Sequence, residues 1–106
     1  MDKKEFLDFI KLIHKKLLGK YPLEKKNRVM VKSLKVMEEL GELSNEILTY
    51  YNLQSRSEKR DNFDYENLKS EWVDVLMTVL LLGVDLDISF ADVEKRFSKI
   101  RERFAK

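Results

Sequence analysis

Apolar residues recur every three or four positions from the start of the chain. Phe6, Phe9, Ile10, Ile13, Leu17 and Leu18 fall on one helical face, a period that belongs to an amphipathic α-helix and not to a strand. Gly19 and Pro22 close it, which predicts a helix over 3–18. Phe6 and Phe9 share its apolar stripe and are expected in the core. Met30, Leu34, Met37, Leu40, Ile47 and Leu48 keep the spacing and predict a second helix over 27–51. Residues 52–63 are polar apart from Leu53 and Phe63, so they read as a loop. Leu68, Trp72, Val75, Leu76, Val79 and Leu80 predict a third helix over 64–82 whose second half is apolar on nearly every side. Such a helix has to be covered on most sides. Asp85 to Ile88 reads as a connector, and Ser89 with Asp92 three residues later makes a capping-box pattern for a last helix over 89–105.

These elements predict a single all-α domain spanning 1–106, a four-helix bundle-like protomer. Three neighbours of this size do not cover the third helix, so homo-oligomerisation is expected to complete it. The longest apolar run, Val75 to Val84, is about half the roughly 20 residues of a membrane helix. The opening MDKKEFLDFIKLIHKK intersperses charges among its apolar residues, unlike a signal peptide. A cytoplasmic protein without a membrane partner is the expectation.

The 106 residues are 43% hydrophobic and 38% charged, with three Gly, one Pro, no Cys and one His. Disulfides, thiolate-ligated metals, thiol catalysis and His-rich metal sites are thereby excluded. Chemistry is left to carboxylates, lysines and arginines. The net charge of +2 conceals segregated blocks. Residues 1–35 carry +7, residues 36–55 hold four acids and no base, residues 70–94 hold six acids and no base, and residues 95–106 carry +5.

Glu38, Glu39, Glu42 and Glu46 place like charges at i,i+4, where each pair costs a helix a few tenths of a kcal/mol. A solvated face would interleave lysines; here Lys35 reaches Glu38 or Glu39 but not the whole cluster. Glu71 and Asp74 share a face of the third helix, and Asp74, flanked by Trp72, Val73, Val75 and Leu76, is expected to turn inward. A buried carboxylate needs a cation or several hydrogen bonds. The i,i+3 pairs Glu39/Glu42 and Glu71/Asp74, brought together by antiparallel packing, offer four oxygen ligands suited to Mg2+ or Mn2+. Di-iron bundle sites need Glu-x-x-His, which is absent. Asp85, Asp87 and Ser89 begin like a calcium loop, but Phe90 and Arg96 stand where Gly and Glu are required. These acids read as connector and helix-start residues.

The stretch Glu38-Glu39-Leu40-Gly41-Glu42-Leu43 and the later Glu71-Trp72-Val73-Asp74-Val75-Leu76 resemble the EExxE…ExxD motif of MazG-type all-α nucleoside triphosphate pyrophosphohydrolases. The resemblance extends over about 25–105, through Leu82-Gly83-Val84-Asp85-Leu86 and Lys99-Ile100-Arg101-Glu102-Arg103-Phe104. It implies Mg2+-dependent hydrolysis of a nucleoside triphosphate to the monophosphate and pyrophosphate, with Glu39, Glu42, Glu71 and Asp74 as metal ligands and a homodimer or homotetramer as the assembly. Ile100 and Phe97 depart from the family's last motif, where aromatic or Asn residues are common, and bear on base selection. Leu76-Met77-Thr78 replaces the Tyr-His of the related phosphoribosyl-ATP pyrophosphohydrolases and ranks that activity lower.

A triphosphate is repelled by acids alone, so metal ions must reverse the sign of the site. Glu38 or one of the ligands is the expected proton acceptor for the attacking water. Lys99 and Arg103, four apart on one face, are candidates for binding the outer phosphates or the leaving group. Trp72 is expected in core or interface packing, and His14, at the stripe's edge, reads as structural or exposed. The rival reading is a noncatalytic helical protein that binds a partner or nucleic acid, because Lys3, Lys4, Lys11, Lys15, Lys16 and Lys20 make the first helix basic. Nucleic acid ranks below a triphosphate as the partner, since those lysines also suit a solvated face.

Overall fold

The computed structural model describes residues 1–51 and 64–105. Those residues form four α-helices and no strand: α1 Lys3–Lys20, α2 Lys25–Tyr50, α3 Tyr65–Asp85 and α4 Phe90–Phe104. The fold is all-α, as the periodicity predicts. The loop expected over 52–63 lies outside the described residues.

Local chemistry sets the helix ends. Asp2 caps α1 by accepting from the Glu5 backbone N–H at 2.8 Å, which satisfies one of the orphan donors of the first turn. Gly19 does not stop α1; the helix runs to Lys20, and Tyr21 N–H closes on the Leu17 carbonyl. Asp64 caps α3 through the Glu66 N–H at 2.9 Å. Ser89 and Asp92 form the expected capping box of α4.

The end of α3 departs from the sequence reading. The helix passes through Gly83 and ends at Asp85, where a connector is expected. Asp87 takes φ 57°, the left-handed conformation that aspartate tolerates better than most residues. The Ile88 N–H then reaches the Gly83 carbonyl at 2.9 Å and the Asp87 N–H reaches Val84 at 3.2 Å. This pair of bonds is a Schellman closure, and it leaves Asp85 as the last helical residue instead of a loop acid.

α2 and α3 pack along each other and α1 lies on α3, whereas α4 packs along none of the three. Few apolar residues are buried: Ile10, Leu43 and Leu81. Phe6 is half-buried and Phe9 exposed, so these two do not form the expected core. With α1 lying on α3 alone, its stripe meets one helix where a closed bundle would give it two. No described helix is long and apolar enough to cross a membrane.

Candidate functional site

The side-by-side packing of α2 and α3 gathers the acidic residues. Carboxylate oxygens of Glu38, Glu39 and Glu42 lie within 4.8 Å of one another, and so do those of Glu39, Glu71 and Asp74. Glu39 belongs to both triads and joins the two helices. All four expected ligands, together with Glu38, therefore fall in one contiguous patch, although Glu42 does not share a triad with Glu71 and Asp74. Glu39 and Glu71 are half-buried, whereas Glu38, Glu42 and Asp74 are exposed. The expected inward turn of Asp74 is thus incorrect. Its neighbours Trp72, Val73 and Leu76 are themselves exposed, so they do not draw it under cover.

Lys35 serves this patch, with its ammonium 3.3 Å from Glu38 and 3.2 Å from Glu39. Hydrogen bonds that the ammonium donates to those carboxylates, Glu39 first, hold the Lys35 pKa above its ordinary value. Glu71 has no such relief. Its Oε2 is buried with no hydrogen-bond partner. Burial, followed by the negative charges of Glu42, Glu39, Asp74 and Glu46, pushes its pKa up. A buried, unpaired carboxylate oxygen among like charges is costly, and a hard cation held by Glu39, Glu71 and Asp74 would remove the cost.

A second charged centre lies at the far end of α3. Asp85 is 3% exposed and receives His14 Nε2 at 2.8 Å, Arg28 Nε at 3.1 Å and the Lys32 ammonium. Burial raises its pKa, but the hydrogen bonds from Lys32, His14 and Arg28 outweigh burial and hold the value at about 2. Arg28 also donates to the Leu23 carbonyl at 2.7 Å, fixing the α1–α2 connector. His14 is therefore structural, as expected, whereas Asp85 is no simple connector. Sequence reasoning applied the rule that a buried acid requires a base to Asp74, and missed the same signal in Asp85, set between Val84 and Leu86, with Arg28 and Lys32 one turn apart on α2.

Between these centres lies a largely apolar cavity of about 300 Å3, walled by Leu17, Leu18, Tyr21, Val31, Thr78 and Leu81, with Arg28, Lys32 and Lys35 also lining it. That volume is at the lower end for small-molecule sites. Lys35 connects the cavity to the carboxylates. Lys99 and Arg103 are exposed on α4, which does not pack on α2 or α3, so one protomer does not bring them onto the acidic patch. Trp72 is 57% exposed, which removes the core as its place.

Compared with family models, with curated proteins and with solved structures, the chain matches none.

Proposed function

We propose that the protein is a Mg2+-dependent nucleoside triphosphate pyrophosphohydrolase of MazG-like type, releasing pyrophosphate and a nucleoside monophosphate in the cytoplasm, with Mn2+ able to replace Mg2+. The observation that carries this reading is the buried, unpartnered Glu71 Oε2 within a patch of carboxylates from two helices. Glu39, Glu42, Glu71 and Asp74 would hold the ion. When bound, Mg2+ supplies charge neutralisation for a polyphosphate and activates water at neutral pH.

The residues of the chain account for the remaining steps. Glu38 is exposed at the edge of the cluster and suits a proton acceptor for water attacking the α-phosphorus. Lys35 holds Glu38 and Glu39 in place. The apolar cavity beyond Lys35 suits the flat base of the nucleotide, and Lys99 and Arg103 the departing pyrophosphate. The exposed apolar faces suit a homodimer or homotetramer.

A panel of nucleoside triphosphates assayed with Mg2+ for pyrophosphate and orthophosphate tests the reading and reports base preference. Glu42→Gln and Asp74→Asn are expected to lower pyrophosphate release by about 100-fold or more. Activity that survives both substitutions removes the metal-site assignment. Without nucleotide, Mg2+ at about 100 times its Kd should stabilise the wild type by about 2–3 kcal/mol, and Glu71→Gln should abolish that gain in a thermal melt.

A further inference from the structure

Three bases of α2 line the apolar cavity: Arg28, Lys32 and Lys35. They stand four and three residues apart, so they share one side of the helix. Arg28 and Lys32 are both committed to the buried Asp85. Lys35 turns its charge the other way, onto Glu38 at 3.3 Å and Glu39 at 3.2 Å. Its position is a boundary. The aliphatic stem walls the cavity while the ammonium reaches the carboxylates, a division that suits a long side chain with an apolar stem and a charged tip. Among the described residues, no other base makes an ion pair with Glu38, Glu39, Glu42, Glu71 or Asp74.

Glu39 is the residue that this ammonium and a metal ion would both claim. It belongs to both carboxylate triads, and its side chain is only 13% exposed, so it has little room to turn away from either. A lysine ammonium and a divalent ion repel each other at such short range. Lys35 therefore yields Glu39 to a doubly charged ion and keeps its pair with Glu38, whose side chain is 58% exposed and stands at the edge of the patch. Its charge is then only half neutralised, and it lies between the carboxylates and the cavity. In the proposed reaction the cavity takes the nucleoside and the carboxylates, through the ion, take the phosphates. The phosphate that crosses this boundary is the one joined to the sugar.

We infer that Lys35 has two roles in turn: it is the resident cation of the empty site, competing with the metal for Glu39, and it binds the α-phosphate once the metal is in place. The inference rests on the proposed triphosphate hydrolysis and adds to it a residue that selects the phosphorus to be attacked. The ammonium marks the α-phosphate at the point where Glu38, the proposed proton acceptor, is also held. A compact point charge on a flexible four-carbon stem suits both roles.

Lys35→Met keeps the stem and removes the charge of a side chain that is 50% exposed, so the variant is expected to fold; Lys35→Arg keeps the charge. In thermal melts titrated with Mg2+ and no nucleotide, Lys35→Met is expected to bind the ion roughly two- to fivefold more tightly than the wild type, and Lys35→Arg to match the wild type. The second measurement titrates the Mg2+-loaded protein with adenosine, guanosine, cytidine and uridine monophosphates and with inorganic pyrophosphate. Lys35→Met is expected to lose about tenfold in affinity for the monophosphates that the wild type binds, and to hold pyrophosphate unchanged. A merely structural lysine would weaken metal and both phosphate ligands together. Mg2+ affinity that stays equal or falls in Lys35→Met overturns the competition for Glu39. Equal losses for monophosphate and pyrophosphate, no loss for either, or a wild type that binds no monophosphate overturns the α-phosphate contact. A wild type that does not respond to Mg2+ overturns the metal-dependent reading and the inference with it, and that failure is told apart because it appears in the unsubstituted protein.

Discussion

Asp85 and Glu71 stand fourteen residues apart on α3, about four turns and nearly the same face, yet their protonation is driven in opposite directions. Three bases surround Asp85 and keep its pKa at about 2; burial and like charges raise that of Glu71. Because the folded value of Asp85 lies below its ordinary 3.8, it stabilises the fold fully above about pH 4. That contribution, about 2 kcal/mol, is lost as pH falls toward 2. Urea unfolding between pH 2 and 5 should show this slope. Asp85→Asn should flatten it and cost about 3 kcal/mol at neutral pH, because the bases lose their counter-charge. The linkage of Glu71 has the opposite sign. Its raised pKa makes the metal-free fold less stable as pH climbs through the carboxylate range, so the two groups partly offset one another there. At this scale the sequence was only partly legible. The spacing of Glu39, Glu42, Glu71 and Asp74 exposes which carboxylates can meet, since i,i+3 pairs share a face. It does not expose burial, which depends on what covers each face: Asp74 has apolar neighbours that are themselves uncovered, whereas Asp85 is covered by side chains 53 to 71 residues away.

Helices are more legible than their burial because period and capping are properties of neighbouring residues. Six apolar residues at three- and four-residue spacing suffice for α1, and Ser89 with Asp92 suffices for the start of α4. Gly83 misleads because glycine more often follows a helix than sits within its last turn. Here the stop is made by the left-handed Asp87, four residues further on. The isolation of α4 gives its cap a local effect. Ser89→Ala should cost about 1 kcal/mol. Under dilute conditions, where chains are apart, that loss should appear as about fivefold faster amide exchange in α4 with α2 and α3 unchanged. Equal acceleration in all helices would mean that α4 shares the cooperative unit of the others.

For the whole molecule, the radius of gyration is 17.1 Å, against about 13 Å for a compact chain of this length. Periodicity could announce a third helix too apolar for its neighbours; it could not say that α4 would stand aside and leave α2 and α3 open. Trp72 is the sole tryptophan and is exposed on α3, so it would report the proposed association. Raising the protein concentration should shift its emission to the blue and raise Tm together; an emission maximum independent of concentration while the mass by light scattering doubles would place the interface elsewhere. The Asp85 centre also has a consequence in time. Its three partners reach it across 53, 57 and 71 residues, whereas each helix can form from its own local contacts. Closing such spans adds little entropy cost over shorter ones, but an aspartate stripped of water before its bases arrive is strongly disfavoured. Asp85 is therefore expected to stay wet until α1, α2 and α3 converge on it, so this centre forms only with the tertiary packing of three helices and not with any one of them.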